Sequence, residues 1–383
     1  MVLGMQRLAS FLVVMLLWTV LPGCGGDEGS DLTVSQPPNS PAPSPPVEGN
    51  VPPRTGTFGG GQGKILFVEG GGSYGISEYD LATRQVQRLN HALEQVFGGV
   101  SRANDGTFAI VRNHGPGKSM AILHHQADGT LLHKWSAPPQ RTPGTEGQPN
   151  PFGLNDQPRN AFYEGGALSP DAKSIALAES TLMGKRLEVL ILDVQSGTWV
   201  INNLLGVNDF PPNKNYLRAS TFWSLAGELY VLSDVGLHRI DRTTGVGTLV
   251  HAVALESPGA PVMSPDGRTI YFDRFFGNSS GGTVWSMDVA SGELTRRSIR
   301  SGAGKQFSPA LSPDGQWLLM QEVGNGSYYI PPGPLNPIGG GGIPFVISAV
   351  RLSDPPIDTQ NLNVWIRDST GQPLMGHSQM VWY

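Results

Sequence analysis

The sequence predicts an all-β domain, a six-bladed β-propeller with four antiparallel strands in each blade. The first observation is a recurring turn, Ser-Pro-Asp-Gly, at Ser264–Gly267 and Ser312–Gly315, with a variant ending in alanine at Ser169–Ala172. The second is another turn motif that follows the first at a constant distance. The third is an apolar segment at the end of the chain, Gln379–Tyr383, which is suited to complete the first blade.

The Ser-Pro-Asp-Gly segments have the residues that a tight turn needs. Proline sets φ at the first corner, aspartate caps the turn, and glycine accepts a positive φ. Each copy follows small or apolar residues and precedes a short apolar run, for example Thr269–Phe272 or Trp317–Met320. Two apolar runs joined by such a turn predict a β-hairpin.

The second motif is an apolar strand that ends in aspartate, followed by a turn containing Ser or Thr and Gly. It occurs at Val189–Asp193, His238–Asp241, Val284–Asp288 and Val364–Asp368. Asp171 and Asp193 are 22 residues apart, and so are Asp266 and Asp288. Two hairpin turns at a fixed offset predict a repeated unit of four strands, a-b-c-d. Complete units are predicted at 98–135, 165–203, 220–250, 261–299 and 308–374.

The first unit is incomplete, because the segment Lys64–Glu69 already reads as strand b. Its missing strand a is predicted to be Gln379–Tyr383, at the other end of the chain. Pairing of these two segments closes the ring, which is how a propeller removes the exposed edges of its sheets.

Composition agrees with many short strands and turns. The chain of 383 residues contains 51 Gly and 32 Pro, and only 15% of its residues are charged. The formal net charge is −5, and no cluster of Lys and Arg is suited to follow a phosphate backbone. We therefore expect no nucleic-acid partner.

The N-terminus reads as a targeting segment. Arg7 precedes an almost wholly apolar stretch, Leu8–Val20, which is short for a membrane-spanning helix. Leu21-Pro22-Gly23-Cys24 then resembles the processing site of bacterial lipoproteins, in which cleavage precedes a cysteine that carries the lipid. An ordinary secretory signal is the alternative, but Cys24 is the only cysteine in the chain and has no disulfide role. By the sorting pattern of those lipoproteins, the resemblance with Gly25 rather than aspartate after the cysteine favours the outer membrane.

Three segments follow from these observations. Residues 1–23 are predicted to be a lipoprotein signal peptide, residues 24–63 a lipidated cysteine with a Pro-, Gly- and Ser-rich disordered tether, and residues 64–383 the propeller. The expected location is the bacterial cell envelope, with the domain held by its lipid at the outer membrane, facing the periplasm or the cell surface.

The repeat also resembles a known family. Ser-Pro-Asp-Gly before an apolar strand, followed by Val-Trp-x-x-Asp-x-x-Ser-Gly as at 284–292, is similar to the TolB-type propeller repeat, a WD40-like repeat. The resemblance covers nearly all of residues 64–383 and is strongest in blades 3, 5 and 6. It implies a six-bladed scaffold, and scaffolds of this kind serve many functions.

One face of the predicted ring is elaborated. Turns a-b and c-d lie on one face of a propeller, and connections b-c and d-a lie on the other. The long connections 138–159, 205–217 and 324–359 all belong to the second class, and we call that side the elaborated face and the opposite side the trimmed face. Loops on a rigid scaffold often form binding sites, although insertions are also tolerated in exposed loops.

The candidate ligand-binding residues are charged side chains at or near the end of each strand b, around the mouth of the central channel. Inter-blade ion pairing is the alternative role for them. They are Glu69, Arg112, Glu179, Asp234, Arg274 and Glu322.

Four histidines fall in connections that we assign to the elaborated face: His91, His114, His251 and His377. Three of them, His91, His114 and His377, are predicted on neighbouring blades, as in propeller lyases that use a metal. No local ligand spacing supports a metal, and no Gly-x-Ser-x-Gly nucleophile motif is present. We assign no catalytic residue, metal or cofactor.

The favoured function is therefore a non-enzymatic, lipid-anchored binding or protein-interaction scaffold of the cell envelope. Its partner would be an envelope protein or a saccharide ligand, and the domain is expected to be monomeric. The alternative is a propeller enzyme, a lyase or hydrolase acting on polysaccharide or a small ester at the channel mouth.

Overall fold

The computed structural model describes the propeller region together with a few residues before it. The predicted signal peptide, Cys24 and nearly all of the predicted tether lie outside the described residues. The described residues are 58, 62–69, 75–90, 99–112, 120–138, 140–141, 156–157, 166–181, 186–206, 209–212, 214, 217–255, 258–275, 282–297, 305–323, 345–353 and 364–383.

The described residues form six four-stranded antiparallel sheets, which confirms the predicted propeller. Blade 1 contains β1 (Lys64–Glu69), β2 (Ile76–Asp80) and β3 (Val86–Asn90). Blade 2 contains β4 (Val100–Arg102), β5 (Phe108–Arg112), β6 (Ala121–His125) and β7 (Leu131–Ser136). A separate two-stranded sheet, which the sequence did not predict, follows blade 2 and pairs β8 (Gln140–Arg141) with β9 (Asp156–Gln157).

The remaining blades repeat this order. Blade 3 contains β10 (Ala167–Leu168), β11 (Ser174–Thr181), β12 (Arg186–Asp193) and β13 (Trp199–Leu205). Blade 4 contains β14 (Ala219–Trp223), β15 (Leu229–Ser233), β16 (Gly236–Ile240) and β17 (Gly247–His251). Blade 5 contains β18 (Pro258–Met263), β19 (Thr269–Phe275), β20 (Gly282–Asp288) and β21 (Leu294–Arg296). Blade 6 contains β22 (Lys305–Leu311), β23 (Trp317–Val323), β24 (Phe345–Arg351) and β25 (Val364–Trp365), and β26 (Gly376–Trp382) completes blade 1.

Blade 6 differs from the prediction in its third strand. The sequence predicted Val364–Asp368 as strand c, after an insertion covering 324–359. The structure instead pairs β24 with β23 over seven residues, and β25 pairs with β24 as the outer strand. The b-c connection of blade 6 is therefore 324–344, and the rest of the predicted insertion belongs to β24 and to the c-d connection, 352–363, on the trimmed face. The prediction was wrong because β24 has no aspartate and no Ser/Thr-Gly turn at its end, the signal that marked strand c in the other blades.

The ring closes through the C-terminal strand, as predicted. β26 runs antiparallel to β1, with Ile65 opposite Trp382 and Phe67 opposite Met380. The amide of Lys64 donates to the carbonyl oxygen of Tyr383 at 2.7 Å, and the reverse bond measures 3.0 Å. The two faces of β26 serve different interfaces, because alternate residues of a strand point to opposite sides.

The apolar residues of the closing strand are divided between two clusters. Met380 and Trp382 pack with Ile65 and Phe67 and with residues of blade 6. Val381 and Tyr383 border the cluster between blades 1 and 2. The sequence predicts Met380, Val381 and Trp382 in the inner layer between blades 6 and 1; the structure places Met380 and Trp382 there, whereas Val381 faces blade 2.

In each Ser-Pro-Asp turn, the serine hydroxyl links the aspartate to the strand that follows. In the turn of blade 5, Ser264 Oγ donates to Asp266 Oδ1 at 2.6 Å and accepts from the amide of Thr269 at 2.9 Å. The hydrogen bonds from Ser264 and from the amide of Arg268 lower the pKa of the Asp266 carboxyl. Gly267 has φ +73° and so occupies the left-handed region that glycine accepts without strain.

Candidate functional site

The predicted ring residues that the structure describes are mostly buried. Glu69, Glu179 and Asp234 are 1%, 5% and 6% exposed, and Arg274 is half-buried. Arg112 ends β5 and Glu322 is the penultimate residue of β23, but the side chains of both lie outside the described part of the structure. A ligand in the channel would therefore meet little of the three acidic side chains.

Glu69 is held by groups of its own blade. Ser77 Oγ donates to its Oε1 at 2.5 Å, and the Arg88 guanidinium lies 2.9 Å from its Oε2. Gly75 makes room for this arrangement, since a Cβ there would lie 2.5 Å from Arg88 Nε. The charge of Glu69 thus joins strands β1, β2 and β3 near the elaborated face.

Asp234 fixes the connection that enters blade 4. Its Oδ2 accepts from the amide of Arg218 at 2.7 Å, and its Oδ1 lies 3.3 Å from Lys214 Nζ. The backbone amide of Asp234 donates to the carbonyl oxygen of Arg218, and its carbonyl oxygen accepts from the amide of Leu255. Asp234 therefore connects the segment that leads into blade 4 with the segment that follows its last strand.

Two acidic residues that the sequence reasoning missed are buried near this face. Asp273, 1% exposed, accepts from the amide of Ser308 at 2.8 Å and so links blade 5 to the first strand of blade 6. Glu188, 8% exposed, lies directly opposite Glu179 across the β11–β12 pair. The available signal was the strand ladder, which places residues 179 and 188 opposite one another once the hairpin is assigned.

The backbone is strained close to Asp273. Ala260 and Ser308 have φ +42° and +52°, although neither is glycine. Both lie where the first strand of a blade changes register, in blades 5 and 6 respectively. Such bulges turn backbone groups away from the ladder, and in blade 6 the displaced amide is the one that Asp273 binds.

Of the four histidines predicted at the elaborated face, the structure describes only the side chain of His251. His91 and His114 lie outside the described residues, and so does the side chain of His377. His251 does not lie at the channel mouth: it ends the outer strand β17 and donates from Nε2 to the carbonyl oxygen of Val289 at 2.7 Å, in the contact between blades 4 and 5. Within the described ranges, no three His, Cys, Asp or Glu side chains are arranged to hold a metal.

The trimmed face has a cleft of its own at blade 4, with a volume of about 620 Å³. Its walls come from the two turns of that blade and include Glu228, Arg239 and Arg242. Arg239 lies 3.6 Å from Glu228, and Arg242 lies 3.0 Å from Asp171 of blade 3. The arginines in this cleft are thus paired with acidic groups, and Arg242 ties two blades together.

No family model matches the chain. A curated relative, the Tol-Pal system protein TolB of Francisella tularensis subsp. tularensis, is 32% identical over 106 residues, which are 27% of this chain and 22% of the relative. No helix within the described ranges is long and apolar enough to cross a membrane.

The comparison with solved structures gives matches at low sequence identity. TolB from Acinetobacter baumannii has a TM-score of 0.50 and 16% identity, with 84% of this chain and 66% of that chain covered. A protein of unknown function from Bacteroides caccae has a TM-score of 0.47 and 13% identity, with 84% and 98% covered. This chain thus spans less than two thirds of the Acinetobacter protein's length and under a quarter of the Francisella protein's. Together with the six-sheet topology and the closing strand, the likeness to the Acinetobacter structure shows that the chain has a TolB-like six-bladed β-propeller fold.

Proposed function

We propose that this chain is a lipid-anchored cell-envelope scaffold that binds a partner on the elaborated face of its propeller. The observation on which this depends is how the charged strand ends are used. Glu69 and Asp234 are buried: Glu69 binds groups of its own blade, and Asp234 binds the segment that enters its blade. Asp273 binds the first strand of the next blade. Side chains occupied in this way position the connections above them. The partner would then contact those connections, and the six ring residues would act mainly by holding them.

An envelope location is consistent with the matched relatives. The Francisella relative is a Tol-Pal system protein by its name. A comparable envelope role for this chain is part of the proposal, together with processing at Cys24. A lipidated cysteine followed by a long Pro-rich segment would hold the propeller away from the membrane surface, with its faces free to bind.

The anchor is tested by replacing the only cysteine. With Cys24→Ala, we expect no incorporation of radioactive palmitate and no cleavage before residue 24, whereas the wild-type chain is labelled and cleaved. Cys24→Ser controls for the change in residue size and should also lack label. A mutant that is processed and labelled like the wild type contradicts the lipoprotein assignment.

The binding face is tested with a photo-crosslinking residue placed on either side of blade 4. Asp209 lies exposed in the connection on the elaborated face, and Leu225 lies exposed, at 63%, in the first turn on the trimmed face. In living cells we expect a discrete crosslinked adduct from position 209 and none from position 225. Adducts from position 225 alone, or from neither position, contradict the proposal.

A further inference from the structure

Two adjacent histidines in blade 2 are buried on opposite sides of one strand. His124 and His125, in β6, are 4% and 1% exposed. Alternate residues of a strand face opposite ways, and the neighbouring residue Ile122 packs between blades 2 and 3 while Leu123 packs between blades 1 and 2. His124 therefore faces blade 3, and His125 faces blade 1.

His124 lies beneath the contact with blade 3. Its ring stacks with His133, at 6.0 Å between centroids, and with Trp135, at 6.2 Å. Trp135 touches the turn of blade 3 at Gly197, where a Cβ would lie 3.3 Å from the indole nitrogen. Neither ring nitrogen of His124 has a hydrogen-bond partner, and both are shielded from solvent.

His125 lies beneath the contact with blade 1. Its ring stacks on Phe108 at 5.0 Å, and its Nδ1 lies 3.3 Å from the carbonyl oxygen of Gly129. Gly129 belongs to the turn that touches blade 1, where a Cβ would lie 2.4 Å from the carbonyl oxygen of Leu89. The other nitrogen of His125, Nε2, is buried without a partner.

We propose that blade 2 is an acid-responsive element of the ring, in which protonation of His124 and His125 loosens β6 and β7 from both neighbouring blades. A proton added to either ring places a positive charge and an unpaired N–H donor in an apolar interface. Opening the blade lets water solvate that charge. β7 leads into the long connection 138–159, so opening would alter the elaborated face, a consequence that rests on the proposed function.

The ionisable groups around the two histidines do little to stabilise the protonated rings in the closed blade. The ionisable groups that act on His124 are His133 and Asp105, and those that act on His125 are His124 and Asp128. Both aspartates are exposed and already accept hydrogen bonds from a threonine two residues on. Burial lowers the pKa of His124, and burial lowers that of His125 to about 4.

The direction of the pH effect follows from these values. Well above pH 6.5, His124 and His125 are neutral in both the closed and the opened form, so the full stability of the blade is present. Stability falls as the pH decreases through 6.5 toward 4, because the opened form binds protons first. With a pKa of about 4 in the closed blade and 6.5 in the opened one, protonation of His125 alone raises the equilibrium constant for opening about 30-fold at pH 5. His238 in blade 4 is also buried with its pKa lowered by burial, but it is one histidine in one blade.

Hydrogen exchange of the full chain tests the proposal. Exchange is measured by mass spectrometry at pH 7.5 and 5.0 and corrected for the intrinsic rate. Peptides covering β6 and β7 should lose protection at least 10-fold at pH 5.0, while peptides covering β20 and β21 in blade 5 change little. Equal changes in the two blades overturn the proposal.

Variants assign the effect to the histidines. His124→Leu combined with His125→Leu should abolish the difference between pH 7.5 and 5.0 in blade 2. His251→Gln, at the contact of blades 4 and 5, is the matched control and should leave that difference intact. Loss of protection that persists in the double variant overturns the proposal. If the double variant does not fold, the wild-type comparison of blades 2 and 5 still decides it, and neither measurement depends on a binding partner.

Discussion

The turn of blade 3 offers a sensitive test of how the hairpin motif works. Ala172 occupies the position that glycine holds in the other two copies, with φ +60° compared with +73° at Gly267 and +67° at Gly315. A non-glycine residue in this region is strained by roughly 1–2 kcal/mol. Replacing Ala172 by glycine relieves that strain but raises the entropy of the unfolded chain, which offsets about 0.4–1 kcal/mol. We therefore expect Ala172→Gly to stabilise the domain by about 0.5–1 kcal/mol.

The reverse substitutions provide matched controls. A Cβ at Gly267 would meet nothing within 4 Å, so Gly267→Ala should cost the backbone strain less the same entropy offset, about 0.5–1 kcal/mol. A Cβ at Gly315 would lie 3.2 Å from Pro265 Cδ, so Gly315→Ala should cost more. Urea unfolding of the chain from Gly25 onward gives the three free energies at constant m-value. Destabilisation by Ala172→Gly, or no loss in Gly267→Ala, would refute the assignment of these turns.

Three further substitutions test the closure of the ring and the role of the ring charges, each by urea unfolding. Trp382→Ala, which empties a site 5% exposed, should cost about 3–5 kcal/mol, whereas Leu225→Ala on the surface should stay within about 0.5 kcal/mol; similar losses in the two variants would contradict the packing. Gly63→Ala should cost at least about 2 kcal/mol, because Gly63 has φ +99° and a Cβ would lie 2.1 Å from the carbonyl oxygen of Tyr383; a neutral effect would contradict the contact. Asp234→Ala should cost about 1–3 kcal/mol by leaving the partly buried amide of Arg218 without its acceptor, and a loss below about 0.5 kcal/mol would contradict the positioning role.

Much of the architecture could be predicted because turns leave strong local signals. A Ser-Pro-Asp-Gly segment specifies its own hydrogen bonds, and its spacing from the next turn defines a blade without knowledge of the neighbours. Strand β24 had no such signal at its end and was missed. The pairing of Gln379–Tyr383 with Lys64–Glu69 was predictable from a count of strands, since one blade lacked its first strand.

The candidate site was harder to predict, because burial depends on neighbouring blades. Glu69 and Asp234 stand at strand ends, where sequence alone suggests solvent, yet adjoining backbone and side chains cover them. His124 and His125 gave no signal, since a strand buried on both faces has no polar-apolar alternation. Their importance emerges only when the contacts of blade 2 with both neighbours are known.

The closed ring is the central structural claim, and the assignment of the two faces depends on it. Removing residues 377–383 takes away the burial of Met380 and Trp382 and exposes the edge of β1, so we expect the cooperative thermal transition to be lost or lowered by well over 10 °C. Removing residues 25–57, in the predicted tether, should leave the melting temperature within a degree or two. A C-terminal deletion that melts as the intact chain does would contradict the closed six-bladed ring.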